Sequence, residues 1–214
     1  MVDNGVWEQI ARPMDQLVVG TKLLNKRKVS KDGKVEKYNC RLAAQGIRQI
    51  EGGHYTEKYS PTLATASIRM LLATAAAKDG DLRHFDGEQA FLKADIDEEV
   101  HIEIPERFQH FPGAVGKLNK AIYGLVQARR CWNIKFYDDI TAIGFEQSRV
   151  DLCMFRQVVN GEVKMVVVVH LNDILVHAQD CATMEWFATQ LGGRFELKDL
   201  GDAKFYMGYH VTRS

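Results

Sequence analysis

The sequence has no apolar run approaching the roughly 18–20 residues that would span a bilayer. Its N-terminus has neither the basic start nor the apolar core of a signal peptide. Its four cysteines are scattered and form no Cys-x-x-Cys pair, which argues against a zinc site or a disulfide framework. We therefore expect an intracellular protein of the cytoplasm or nucleus, not a secreted one, with no membrane partner.

The net charge does not favour binding to a polyanion, because 28 Lys and Arg residues balance 28 Asp and Glu residues. The hydrophobic fraction of 46% is that of a globular chain. The basic residues are uneven, however, and many lie in one early segment: Lys22, Lys26, Arg27, Lys28, Lys31, Lys34, Lys37, Arg41 and Arg48. This segment is either a solvated edge that uses lysines against aggregation or a surface for nucleic acid.

Hydrophobic periodicity predicts a mixture of strands and helices without a regular βαβ rhythm, which favours an α+β fold with an antiparallel sheet. The basic segment reads as a hairpin whose Asp-Gly turn lies in Ser30–Lys34. Helical spacing is predicted for Thr65–Lys78, Ala128–Ile143 and the segment from Asp180 to Leu191. Strands are predicted at Leu17–Asn25, Val35–Ala43, Leu82–Phe85, Val100–Ile104, Val115–Leu118, Cys153–Val158, Val163–Val169 and Phe205–Val211.

The stretch Met165–Val176 consists of two apolar, β-branched runs around His170-Leu171-Asn172-Asp173. Since unpaired polar groups are costly in a core, these four residues are predicted to form a tight turn between two strands. Asp86 likewise closes a short apolar strand. If these strand ends meet at one sheet edge, their acids could hold hard cations. The alternative is that Asp86 is a turn residue or a helix cap.

A series of motifs occurs along the chain in a fixed order: Arg41-Leu42-Ala43-Ala44-Gln45-Gly46, Tyr59-Ser60-Pro61, Ile68-Arg69, Phe85-Asp86-Gly87-Glu88-Gln89-Ala90-Phe91-Leu92, Leu118-Asn119-Lys120-Ala121-Ile122-Tyr123-Gly124-Leu125 and Phe195-Glu196-Leu197-Lys198-Asp199-Leu200-Gly201. With these motifs the chain resembles the reverse transcriptase domain of copia-type LTR retrotransposons, part of a Pol polyprotein. The resemblance begins near Leu17. It leaves residues 1–16 as an N-terminal extension and 17–214 as one domain of two interleaved subdomains.

The resemblance implies a polymerase right hand with fingers and palm, an antiparallel palm sheet packed on helices, and a thumb that is missing or incomplete. It implies Mg²⁺, with Mn²⁺ as a substitute, on the metal-binding acids Asp86 and Asp173. An RNA or DNA primer–template and deoxynucleotides are the implied partners, and oligomeric state is left open. Nucleotide contacts fall on Arg41, Ala90, Phe91, Tyr123 and Gly124, and a primer grip on Met207, Gly208 and Tyr209.

The chain departs from the family pattern at functional positions. Family members read Tyr-x-Asp-Asp where this chain has Asn172 before Asp173, so an amide replaces a catalytic, metal-binding acid. Asn39 stands where the family has a lysine, and Arg129 where it has a proline. Three hypotheses follow: an inactive polymerase domain, a non-enzymatic module that retains the palm to bind nucleic acid or protein, and a weakly active polymerase.

Overall fold

The structure is a computed structural model that describes residues 5–29 and 34–212. Within these residues the chain divides into two compact units. Unit 1 contains the described residues up to Tyr59 together with Phe91–Trp132, and unit 2 contains Ser60–Ala90 and the described residues from Asn133 onwards. The chain therefore passes from one unit to the other three times.

Unit 1 contains a four-stranded sheet and a separate hairpin. The sheet has the order β1-β7-β6-β2, formed by Trp7–Ile10, Val115–Leu118, His101–Glu103 and Val18–Val19. Strand β1 lies in the segment predicted as an N-terminal extension, and it pairs with β7 along its whole length. The hairpin joins β3 (Thr21–Val29) to β4 (Val35–Ala44) and confirms the predicted basic strand pair. Residues 30–33 of its predicted turn lie outside the described residues.

Unit 2 is built on a six-stranded sheet whose neighbouring strands are all antiparallel, in the order β12-β5-β11-β10-β9-β8. Its strands are β5 (Asp81–Gly87), β8 (Glu146–Gln147), β9 (Met154–Val159), β10 (Glu162–His170), β11 (Asp173–Ala178) and β12 (Leu197–Asp202). The valines of β10 from Val166 to Val169 are buried, as expected for a central strand covered on both faces.

Four α-helices lie in the described part of the chain: α1 (Thr65–Lys78), α2 (Ala90–Lys93), α3 (Ala128–Ala142) and α4 (Cys181–Gly192). Helix α1 packs on β10 and β11, and α4 packs on β11 and β12. Phe85 lies 5.7 Å from Phe187 of α4, measured between ring centroids. Side chains alternate across a strand, so Asp86 projects from the opposite face of the sheet. None of the helices in 5–29 and 34–212 has the length and apolarity to cross a membrane.

The predicted helix Thr65–Lys78 has the bounds given by its sequence. Asp79 ends it in a left-handed conformation with φ 50°. At its start the buried carboxylate of Asp151 accepts hydrogen bonds from the Ala64 N–H and the Ser67 hydroxyl. A helix N-terminus has unpaired N–H groups, so this distant acid acts as its cap.

One predicted strand was wrong. Phe205–Val211 is not one strand, because Met207 (φ 46°) and Gly208 (φ 88°) form a turn between β13 (Phe205–Tyr206) and β14 (Tyr209–His210).

Candidate active site

Asp86 and the hairpin tip lie together at one edge of the unit 2 sheet. Strands β10 and β11 join through a two-residue turn, with His170 paired to Asp173. Asp173 is also the register partner of Asp86 on β5. Directly opposed residues of antiparallel strands project from the same face, so the two carboxylates share one surface. The predicted turn, and the meeting of these strand ends, are therefore features of the structure.

Asn172 binds Asp86 directly. Its side-chain Nδ2 donates a hydrogen bond to Asp86 Oδ1, and the Gly87 N–H donates to the Asn172 backbone carbonyl at 2.8 Å. An ionised carboxylate is only an acceptor, so the amide faces it with its N–H group rather than its carbonyl oxygen. The preceding residue, Leu171, has φ 55°, a left-handed conformation that is costly for a residue with a Cβ. The turn thus aims the amide at the carboxylate of Asp86.

Two side chains of its own unit approach Asp173. The Tyr206 hydroxyl donates to its backbone carbonyl at 3.2 Å, and His84 Nε2 lies 3.4 Å from its carboxylate oxygen Oδ1. The His84 ring meets the Tyr206 ring edge-on, with centroids 5.4 Å apart. Burial raises the pKa of Tyr206, so its hydroxyl remains a donor across the ordinary pH range.

Lys198 adds a positive charge beside the two acids. It is the register partner of Asp86 on the side away from Asp173, and it is exposed. The sequence allows two interpretations of Lys198, a solvated turn lysine, which Asp199 and Gly201 favour, or a general acid for pyrophosphate departure. The turn interpretation is wrong, because Lys198 lies in strand β12. His84 was missed, since an isolated histidine carries no spacing signal. Only its place two residues before Asp86, on the same face of β5, points to the site.

The predicted nucleotide-contacting residues lie in both units. Arg41 is exposed on β4 of the hairpin. Phe91 and Tyr123, both in unit 1, have ring centroids 6.4 Å apart. Ala90 is buried and begins helix α2. The structure therefore brings Phe91 and Tyr123 together, while the roles of all these residues remain predictions.

Gly124 is fixed by a close approach of two backbones in unit 1. It has φ 93°, and a Cβ added there would lie 2.3 Å from the carbonyl oxygen of Ala44. The Ala44 N–H donates to the Tyr123 carbonyl at 2.8 Å, which holds the two segments together. Only glycine tolerates both the positive φ and the contact.

The predicted primer grip is the turn of the β13–β14 hairpin in unit 2. Met207 and Gly208 are exposed at the turn, and Arg69 Nε of helix α1 donates to the Tyr209 hydroxyl at 3.2 Å. The hairpin is thereby tied to a helix of its own unit. Primer binding at this turn remains a prediction.

The donor set at the sheet edge is small. Across the described ranges 5–29 and 34–212, no group of three or more His, Cys, Asp or Glu side chains is placed to hold a metal ion. Asp86 and Asp173 are opposed carboxylates at the edge, and one oxygen of Asp86 already accepts a hydrogen bond from the Asn172 amide.

Comparison with known proteins places the sequence in a family. The model of the reverse transcriptase (RNA-dependent DNA polymerase) family matches residues 4–214. The chain is 30% identical to the retrovirus-related Pol polyproteins from transposons RE2 and RE1 of Arabidopsis thaliana, over 99% of its length and 15% of theirs. It is also 30% identical to the retrovirus-related Pol polyprotein from transposon TNT 1-94 of Nicotiana tabacum, covering 98% of this chain and 16% of that one.

These relatives are Pol polyproteins of copia-type retrotransposons, and the chain spans about a sixth of their length. Reverse transcriptases as a family bind a template and primer and depend on divalent metal. The family match extends over nearly the whole sequence and includes the strand of Asp86 and the hairpin of Asp173. The chain therefore belongs to the reverse transcriptase family, as a domain of the copia-type retrotransposon Pol kind.

Proposed function

We propose that this chain is the fingers and palm of an RNA-directed DNA polymerase whose nucleotidyl-transfer activity has been lost. The observation that carries the proposal is the hydrogen bond from Asn172 Nδ2 to Asp86 Oδ1. The Asn172 amide places a hydrogen-bond donor where the family has a second metal-binding carboxylate. The present donor set does not fit a pair of bound Mg²⁺ or Mn²⁺ ions.

The chemistry of an amide supports this reading. In the family, divalent cations supply charge stabilisation to the phosphoryl transition state, which is worth several kcal/mol. Asn172 has no negative charge, and to offer its carbonyl oxygen to a cation it would have to give up its bond to Asp86. A loss of about 4 kcal/mol of transition-state stabilisation slows a reaction about a thousandfold.

We assign the parts of the right hand from the architecture and the resemblance. The six-stranded sheet of unit 2 is the palm, and the β3–β4 hairpin of unit 1 belongs to the fingers. In the ancestral polymerase Arg41 would bind the phosphates of the incoming nucleotide, since a guanidinium binds phosphate through two donors. Phe91 would exclude a ribose 2′-hydroxyl, and Met207–Tyr209 would hold the primer.

Nucleic-acid binding without catalysis is the second candidate function. Lys22, Lys26 and Arg41 are exposed and share one face of the β3–β4 hairpin, because Leu24 lies between the two lysines and opposite Arg41. Cations in a row along a strand suit a phosphate backbone, with affinity that falls as salt rises. This candidate needs no metal at the sheet edge.

Primer extension separates the two candidates from a working polymerase. The unmodified protein is incubated with a labelled DNA primer on an RNA template, deoxynucleotides, and Mg²⁺ or Mn²⁺, with an active reverse transcriptase as assay control. We expect no extended product, because Asn172 leaves the metal pair incomplete. Extension with either ion would refute the proposed loss and support a weakly active polymerase.

Retention of the same primer–template is measured in parallel by a mobility shift at increasing salt. Binding that weakens with salt and is reduced by Lys26→Ala supports the nucleic-acid-binding module. Absence of binding at low salt would eliminate it.

A further inference from the structure

The β3–β4 hairpin has a second face, opposite the one that carries Lys22, Lys26 and Arg41. Side chains alternate along each strand, so Arg27 and Tyr38, which are register partners, project together from this second face. Tyr38 is 76% exposed, and Arg27 is exposed as well. An aromatic ring and a guanidinium therefore lie side by side on a solvent-exposed strand pair.

The exposure of Tyr38 follows from its place in the hairpin. At the base of the hairpin Leu42 and Ala44 are buried, and the Ala44 N–H donates to the Tyr123 carbonyl of the same unit. Tyr38 lies four residues before Leu42 on the same face of β4, beyond this buried base. Packing therefore does not account for an aromatic ring at this position.

The charge around the ring is of one sign. Residues 21–27 and 38–44 contain no Asp or Glu, but they contain four cations: Lys22, Lys26, Arg27 and Arg41. Three of these cations lie on the first face of the hairpin, and Arg27 lies beside Tyr38 on the second. A surface of this charge favours an anionic partner.

The ring decides which kind of anion fits best. A guanidinium binds phosphate through two donors and needs no aromatic neighbour to do so. A nucleobase uses the ring as well, because bases of single strands stack on exposed aromatic side chains regardless of sequence. In a duplex the bases stack on one another, so their faces do not reach the ring. The combination therefore favours an unpaired strand.

We propose that Tyr38 and Arg27 form a stacking site for one unpaired nucleotide of single-stranded RNA or DNA. The ring holds the base, and the guanidinium holds a neighbouring phosphate. This inference rests on the nucleic-acid-binding candidate above and adds to it the kind of strand that is bound. The first face of the hairpin contacts phosphates only, so experiment can separate the contributions of the two faces.

The test measures fluorescence anisotropy of labelled oligonucleotides at increasing salt: oligo(dT), oligo(U), an abasic DNA strand of the same length, and a DNA duplex. Tyr38→Leu should weaken binding of oligo(dT) and oligo(U) by roughly 5–150-fold, the effect of losing one stacked base. It should leave the salt dependence unchanged, since no phosphate contact is lost. Binding of the abasic strand and of the duplex should not change.

Arg27→Gln should act differently, because it removes a phosphate contact. It should weaken binding of the abasic strand as well as of oligo(dT). The slope of the logarithm of affinity against the logarithm of salt concentration should become shallower by about 0.7 for a single strand. The unmodified protein should bind oligo(dT) more tightly than the abasic strand, a comparison that needs no variant.

Two variants control for the substitution itself. Tyr38→Phe keeps the ring and should bind oligo(dT) as tightly as the unmodified protein. Tyr59→Leu changes another exposed tyrosine of unit 1, outside the hairpin, and should also leave affinity unchanged. Circular dichroism verifies that each variant is folded.

Equal affinity of the unmodified protein and folded Tyr38→Leu for oligo(dT) would overturn the proposal, as would equal affinity of the unmodified protein for oligo(dT) and the abasic strand. If Lys26→Ala weakens binding in that case, the nucleic-acid-binding candidate stands without the stacking site. Absence of binding to any strand at low salt would overturn both.

Discussion

Asn172→Asp is expected to make the stability of this protein depend on divalent cations. The substitution removes the amide donor to Asp86 and places a third carboxylate beside Asp86 and Asp173. A hydrogen bond to a charged group contributes about 1.5–3 kcal/mol, and repulsion between the carboxylates adds to its loss. We expect the free energy of unfolding in EDTA to fall by about 2–4 kcal/mol.

Adding Mg²⁺ should reverse much of this loss. A ligand that binds only the folded state at a hundred times its dissociation constant stabilises it by about 2.7 kcal/mol. Urea unfolding curves of both proteins, each in EDTA and in Mg²⁺, measure the effect. The unmodified protein should respond little to Mg²⁺, because its amide already satisfies Asp86.

Asn160→Asp is the control for this change. Asn160 is exposed at the turn of the β9–β10 hairpin, so the same substitution there should change stability by less than about 0.5 kcal/mol with or without Mg²⁺. If Asn172→Asp proves as stable in EDTA as in Mg²⁺, the third carboxylate does not create a cation site. The role given to Asn172 would then be wrong.

Gly124→Ala should destabilise unit 1 by about 3–5 kcal/mol. The new Cβ would lie 2.3 Å from the Ala44 carbonyl oxygen, so the two backbone segments must move apart. The residue would also hold a positive φ that costs an alanine about 1–2 kcal/mol. Hydrogen exchange reports the local effect, since the Ala44 amide should lose protection when its bond to the Tyr123 carbonyl breaks.

Gly113→Ala separates backbone strain from the clash. Gly113 lies in the same unit and has φ 76°, but a Cβ added there meets nothing within 4 Å. Its cost should be limited to the strain, about 1–2 kcal/mol, with Ala44 protection unchanged. Equal losses in the two variants would show that the approach of Gly124 to Ala44 is looser than described.

The parts of the site that follow from local pattern could be predicted from the sequence. The valine run of Met165–Val176 and its polar insert, His170–Asp173, predict a hairpin. A turn at the insert keeps its polar groups out of the core, where unpaired polar groups are costly. The sequence leaves open whether the strand ends of Asp86 and Asp173 meet, and the register pairs these two residues. The resemblance to the family, not the spacing, gave these acids a function.

The parts that depend on long-range pairing could not be predicted. Strand β12 is an edge strand with mostly exposed side chains and a register shift between Asp199 and Asp202, so it shows no alternation of polar and apolar residues. The orientation of the Asn172 amide and the contact of His84 with Asp173 arise from three neighbouring strands. A sequence pattern carries no information on such cross-strand contacts.

The aromatic residues after Ala203 show how composition misleads. Phe205, Tyr206 and Tyr209 have high strand propensity, and the segment was predicted as one strand. The left-handed conformations of Met207 and Gly208 break it into a short hairpin. Gly208 is a turn signal, because glycine adopts a positive φ without steric cost. The high strand propensity of the neighbouring aromatic residues outweighed this signal in the prediction.

The most direct test of the central claim is a count of bound Mn²⁺, with the free ion measured by electron paramagnetic resonance. The unmodified protein should bind no Mn²⁺ that depends on Asp86, because Asn172 occupies that carboxylate. Asp86→Asn should therefore leave the Mn²⁺ binding curve unchanged. Two ions per chain, or an ion lost on Asp86→Asn, would contradict the account.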